Sequence, residues 1–232
     1  MELFFEGLLQ AIRLLLEGNR EVLEITLLSL KVSGLATLLS VIIGVPLGVV
    51  LALSRFWGRN AAVGVINTGM GLPPTVVGLV VSIFLWRSGP LGFLGLMYTP
   101  TAIIIAQALI AFPLVTGFTM AGVQQLNSNL RLQIIAMGAS RLQLWWLLLR
   151  ESRLSLLAAV IAGFGGVLSE VGAVMMVGGN IRGQTRVLTT AIVMEVSRGQ
   201  FALAIALSII LLALAFAITM SLTKIQQRGR SK

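Results

Sequence analysis

Long apolar intervals separated by short charged clusters organise this chain. Val32 to Ser54, between Lys31 and Arg55, carries no charge, and Asn60 to Trp86 is a second such interval. Ser88 to Leu130 has room for a loop and a third apolar segment near Thr101 to Val123. Leu154 to Ser169 continues across the single Glu170 to about Gly178, and Gly199 to Thr223 completes the set. A helix needs about 20 apolar residues to cross a bilayer. The pattern therefore predicts an all-α integral membrane protein with five transmembrane helices in one domain, residues 24–223.

Ahead of the first span the rhythm changes. Glu2, Glu6, Gln10, Arg13, Glu17 and Arg20 recur every three or four residues, with Leu, Phe and Ile filling most gaps. A single polar stripe on an apolar helix predicts an amphipathic interfacial helix over residues 1–23, serving either as a lead-in packed on the domain or as a partner-binding segment. A cleavable signal would open with basic residues, whereas this chain opens with Glu2 and Glu6. Residues 224–232 form a basic tail.

Two interruptions stand out. From Asn127 to Arg153 the chain is too long and too amphipathic for a loop that only reverses direction. It predicts two short helices: Leu130 to Met137, ended by Gly138 in a left-handed conformation, and a second opened by Ser140 with Gln143 as a capping box. Trp145 and Trp146 on the second suit the headgroup boundary. A folded protrusion at a membrane face is a docking device. The other interruption is Gly69-Met70-Gly71-Leu72-Pro73-Pro74-Thr75, where two adjacent prolines must break or kink the second span. A half-helix restarting there would point its N-terminal amides into the bundle, and such ends suit anions.

Small residues recur every fourth position at Ala36, Ser40, Gly44, Gly48 and Ala52, and again at Gly165, Ser169 and Ala173. Such stripes let helices approach closely in lipid, and packing within the chain is their simplest use.

Lys and Arg set the orientation. With the N-terminus outside, inner segments hold Arg55, Arg59, Arg131, Arg141, Arg150, Arg153, Lys224, Arg228, Arg230 and Lys232, and outer segments hold Arg13, Arg20, Arg87, Arg182, Arg186 and Arg198. Ten against six favours an outside N-terminus and a cytoplasmic C-terminus. The net charge of +9 is thus an orientation signal and implies no nucleic acid. Composition narrows the chemistry further: 57% of residues are hydrophobic, 11% are charged and mean hydropathy is +0.98. The chain has no Cys, His or Asp. Thiolate or imidazole metal sites, disulfides and Cys or His catalysis are excluded, and no catalytic residue is assigned. None of the three lysines follows a glycine, so there is no phosphate loop and no ATP site.

Gly138-Ala139-Ser140-Arg141 before the last two spans resembles the cytoplasmic coupling motif of bacterial ABC-importer permeases. Leu72-Pro73-Pro74-Thr75-Val76-Val77-Gly78 is similar to the broken-helix motif of oxyanion permeases. Leu168 to Asn180, followed by Thr185 to Ile192, most resembles the tungstate-type branch. The chain departs from the family where its Glu-Ala-Ala element is Leu132-Gln133-Ile134 and its closing Leu-Pro is Arg150-Glu151. These replacements remove the basis for the usual salt bridges to the ATPase, but not for docking itself.

The resemblance implies a type I importer permease acting as a homodimer in a bacterial or archaeal cytoplasmic membrane, surrounded by lipid. It implies an ABC ATPase subunit dimer inside and an oxyanion-binding protein outside. ATP would be held by the ATPase, with no cofactor in this chain. The cargo would be tungstate or molybdate; sulfate or phosphate import, an ATP-independent secondary anion carrier and a membrane scaffold are the competing readings. Coupling would fall to Leu132, Gln133, Ala136, Gly138, Ala139, Ser140, Arg141 and Leu142, and the translocation pathway to Pro73, Pro74, Thr75 and Glu170.

Two expectations concern charges. Arg182 and Arg186, with a short helix over about Val187 to Ser197, lie on the outer face and would meet acidic residues of the binding protein or headgroup phosphates. Lys31 and Glu170 lie inside spans at matching depth and would form an ion pair, bare or water-bridged. Otherwise Glu170 is protonated or bonded to backbone and Lys31 snorkels outward.

Overall fold

At Gly18-Asn19 the chain leaves one helix and starts another. Helix α1 (Glu2–Leu16) ends in a Schellman turn, with Gly18 N donating to Leu15 O and Asn19 N to Leu14 O, and Gly18 at φ +60°. The Asn19 side chain then accepts from Val22 N and opens α2 (Arg20–Leu53). The amphipathic segment therefore ends sooner than the expected 23, and the first long helix starts twelve residues before Val32. Arg20 and Glu24 pair one turn apart at 2.9 Å, so these charges sit on the helix instead of preceding it. The computed structural model describes residues 2–228, so residues 229–232 of the expected basic tail lie outside it.

Along the chain follow α3 (Arg59–Met70), α4 (Pro74–Leu85), α5 (Pro100–Gln124), α6 (Ser128–Ala136) and α7 (Arg141–Glu151). Then come α8 (Arg153–Leu168), α9 (Gly172–Gly178), α10 (Leu188–Ser197) and α11 (Phe201–Arg228). Helices α2, α5 and α11 are each long and apolar enough to cross a membrane unbroken. Two bent pairs, α3 with α4, turned by 104°, and α7 with α8, turned by 71°, bring the count among the described residues to as many as five if each pair is one span. The second span is thus bent past a right angle at the prolines. The expected fourth span is not continuous either: α8 ends at Leu168, and α9 restarts at Gly172 after Ser169-Glu170-Val171.

The centre of the bundle is α2 against α5. Ala36, Ser40, Gly44 and Gly48 face α5: a Cβ on Gly44 would lie 2.9 Å from Thr116 Oγ1, and one on Gly48 2.7 Å from the Thr116 carbonyl oxygen. The first stripe is therefore internal packing. Gly165 and Ser169 of the second stripe are exposed, and Ala173 belongs to a separate helix. Buried polar groups tie the helices together. Gln107 on α5 accepts from Ser33 Oγ at 3.3 Å and donates through Nε2 at 2.9 Å to the Val167 carbonyl near the end of α8, which also accepts from Glu170 N at 3.2 Å.

Helix α1 lies against α11, where a Cβ on Gly7 would collide with Ile205 at 2.4 Å. The two ends of α2 mark the two faces of the bundle, about 50 Å apart at 1.5 Å per residue. Glu21 lies at the end bearing Arg182, and the Leu53 carbonyl at the end bearing the Gly138 hairpin.

Candidate functional site

The proline break and the break at Ser169-Glu170-Val171 are both built features. At the proline break, Pro73 precedes α4 with Pro74 in its first turn, where a missing N–H costs nothing. No side chain caps α4, so its positive end is bare among the described residues. At the other break the Glu170 carboxylate accepts from Ala173 N at 2.9 Å and caps α9, while Thr189 Oγ1 donates to the Glu170 carbonyl at 2.9 Å. The two breaks meet. A Cβ on Gly172 would lie 2.6 Å from Thr75 Cγ2 and 3.5 Å from Glu170 Oε1, and one on Gly78 would lie 2.6 Å from the Ala173 Cα. The fold thus brings together Pro73, Pro74, Thr75 and Glu170; Pro73 and Thr75 are exposed.

The expected pair is not seen as a direct contact: no salt bridge joins Lys31 and Glu170. The carboxylate is held by backbone amide at the break, whereas Lys31 is exposed on α2 in a cleft shared with Arg182 and Arg186. Of the alternatives weighed from the sequence, the backbone-bonded carboxylate is the one observed.

On the opposite face of the bundle, α6 and α7 form a hairpin around Gly138. Gly138 adopts φ +78°, Gly138 N donates to Ile135 O and Ala139 N to Ile134 O, which completes a second Schellman turn. Ser140 and Gln143 form the capping box: Ser140 N donates to Gln143 Oε1 at 2.8 Å, and Gln143 N to Ser140 Oγ at 3.3 Å. Ile134, Leu144 and Leu148 make a small core against Leu53 and Leu126. Arg59 Nε donates to the Leu51 carbonyl and Arg131 Nη1 to the Leu53 carbonyl, so two cations close the C-terminal end of α2. The hairpin is thereby fixed to a long helix. Leu132, Gln133, Ala136, Gly138, Ser140, Arg141 and Leu142 are all exposed, with Ala139 half-buried in the turn. Leu132 is 64% exposed, Leu142 79% and Met137 76%, an apolar rim projecting from a packed base. Arg150 lies over the Trp146 ring at 5.4 Å.

At the Arg182 end, Glu21 of α2 gathers two arginines. Arg182 Nη2 bonds Glu21 Oε2, which holds the guanidinium above its ordinary pKa, and Arg186 Nη1 lies 3.5 Å from Glu21 Oε1. Their environments differ. The Arg182 side chain is 72% exposed, but that of Arg186 only 8%. Arg186 is buried beside Glu21 of α2, whereas Arg182 is open to solvent. Sequence reasoning also missed Glu195, a buried carboxylate on α10 facing Arg198 at 3.3 Å. It missed Gln107 too, although a lone amide between Thr101 and Thr116 was a signal worth following.

A family described as the binding-protein-dependent transport system inner membrane component matches residues 44–231. The chain is 44% identical over 207 residues to the tungstate uptake system permease protein TupB of Peptoclostridium acidaminophilum, covering 89% of this chain and 91% of that protein. It is 40% identical over 189 residues to a probable anion ABC transporter permease protein of Haloferax volcanii, covering 79% and 82%. A molybdenum transport system permease protein ModB of Haemophilus influenzae is 28% identical over 71% of this chain and 76% of its own. Among solved structures, a chain of the inward-facing MetNI methionine ABC transporter superposes with a TM-score of 0.76 at 18% identity, covering 90% of this chain and 96% of that one. Helices, broken spans and hairpin together have the architecture of a type I importer permease. The chain belongs to the binding-protein-dependent transport system inner membrane component family, the permease subunits of ABC importers.

Proposed function

We propose that this chain is the permease of a tungstate importer, with molybdate as the closely related cargo, working as a homodimer with a pair of ABC ATPases and an outer oxyanion-binding protein. The observation that carries the cargo is the 44% identity to a tungstate uptake permease along nearly the whole of both chains. The exposed Gly138 hairpin supports the ATPase as partner, because an apolar rim on a braced base is a surface for another protein. In this reading the hairpin faces the cytoplasm, Arg182 faces outward to the binding protein, and Pro73, Pro74, Thr75 and Glu170 line the route. ATP-driven closure of the ATPases draws the two hairpins together and opens the route outward.

Reconstitution tests it. Proteoliposomes holding the permease, its ATPase and the binding protein should accumulate tungstate only when ATP and binding protein are both supplied. Accumulation by the permease alone would establish a secondary carrier instead.

A further inference from the structure

We propose that the cleft between the first turns of α2, Arg20 to Lys31, and residues 182–186 is an oxyanion-receiving site in which Lys31 is the principal ligand. It rests on the importer reading above and adds the residue that meets the anion at the outer face.

The cleft encloses about 800 Å³ and is lined by four cations, Arg20, Lys31, Arg182 and Arg186, against two carboxylates, Glu21 and Glu24. Both carboxylates are already committed. Glu24 pairs with Arg20 at 2.9 Å, and Glu21 is shared between Arg182 and Arg186. Lys31 has no carboxylate partner among the described residues, although it stands on an apolar helix between Leu28 and Val32. Neither Glu170, which caps α9, nor Glu195, which faces Arg198, supplies one.

A second, independent observation points to a missing ligand. Arg186 is 93% buried, yet its Nε has no hydrogen-bond partner. An ammonium at membrane depth costs about 2.5–3.5 kcal/mol unless it is compensated, and a buried guanidinium N–H left unpaired adds to that. A tetrahedral dianion answers both: its charge balances the two surplus cations, and its oxygens accept from an ammonium and a guanidinium edge. The same chemistry is offered by a free oxyanion and by the phosphate of a lipid headgroup.

The chain has no cysteine, so a thiol can be placed in the wall without background. Leu27 lines the cleft and is 64% exposed. Leu27→Cys, with Gln184→Cys as a second position, would be labelled in the full permease assembled with a cysteine-free ATPase in lipid-free maltoside micelles. Anionic sulfonatoethyl and cationic trimethylammonioethyl thiosulfonates serve as probes. A focusing cationic cleft should favour the anionic reagent about tenfold. Lys31→Gln should remove most of that preference and Lys31→Arg should keep it, and millimolar tungstate or sulfate should slow labelling. Equal rates for the two reagents, unchanged by Lys31→Gln, would overturn the proposal at both positions.

Repeating the assay in phosphatidylglycerol nanodiscs separates the sources. Further protection by tungstate assigns the site to the free oxyanion, whereas protection by lipid alone assigns it to the headgroup. Protection by sulfate and tungstate alongside failed ATP-driven tungstate uptake would refute the cargo and leave the cleft standing.

Discussion

Gly78 of α4 and Ala173 of α9 pack backbone to backbone, with only 2.6 Å between the Ala173 Cα and the point where a Cβ on the glycine would sit. This contact joins the two broken helices, so Thr75 and Glu170, which we propose line the route, are positioned by a missing methyl group. Gly78→Ala should force α4 and α9 apart at a cost of about 1–3 kcal/mol, lowering both the detergent melting temperature and ATP-driven uptake. Gly34→Ala is the control, because nothing lies within 4 Å of its Cβ position. It should be neutral or slightly stabilising, as Ala is the better helix former. Equal damage from the two variants would mean that the α4–α9 contact is not the cause.

At Gly138 the constraint is conformational and not steric. Its φ is +78° and a Cβ would meet nothing within 4 Å. A side chain in the left-handed region costs about 1–2 kcal/mol, more if β-branched, and least for Asn. Gly138→Val should therefore insert normally yet separate ATP hydrolysis from uptake, while Gly138→Asn keeps most transport. Normal uptake by the Val variant would remove the turn from the coupling mechanism.

The hairpin was readable in advance because its determinants are local. Gly138 and the Ser140–Gln143 pair lie within six residues, and a capping box or a Schellman turn needs nothing from elsewhere in the chain. The proline break was readable for the same reason. What depended on distant contacts was not. The start of α2 was misplaced because Arg20, Glu21 and Glu24 look like a polar boundary until Arg182 and Arg186 are seen across from Glu21. The break at Ser169-Glu170-Val171 was hidden because no proline marks it; it is stabilised by the Gln107 amide on Val167 and by Thr189 on Glu170. Matching depth suggested a Lys31–Glu170 pair, but depth says nothing about which side of a helix each charge occupies.

Arg182 and Arg186, one expected pair, should now behave differently. Arg186→Gln removes a buried cation from beside Glu21 and should destabilise the fold by about 1–3 kcal/mol. It should leave binding-protein stimulation of ATP hydrolysis in proportion to the protein that folds. Arg182→Glu sits on an exposed side chain and should spare the melting temperature. With Arg182 facing the binding protein, this variant should lose stimulation by the loaded protein. The comparison is read as ATPase rate per folded complex, and retained stimulation in Arg182→Glu would take that residue off the docking surface.

Charge reversal at Lys31 and Glu170 gives the sharpest contrast with the sequence-based expectation. A direct pair would be partly restored by exchanging the two charges. The structure gives each residue a separate place: Glu170 accepts from Ala173 N at the break, and Lys31 lines the cleft that Arg186 also lines. Lys31→Glu adds a third carboxylate to that cleft, while Glu170→Lys puts a cation at the N-terminus of α9, where the helix dipole opposes it. The two injuries should add, with a coupling energy below about 0.5 kcal/mol in a double-mutant cycle on thermal stability. Glu170→Gln separates cap from charge at the same position. Its amide oxygen can still accept from Ala173 N, so stability should hold, whereas Glu170→Ala leaves that first-turn amide without its side-chain acceptor and should lose about 0.5–2 kcal/mol, the range for lost capping side chains. Rescue of uptake by the double exchange, beyond additive damage, would restore the ion pair and overturn the assignment of Glu170 as a cap.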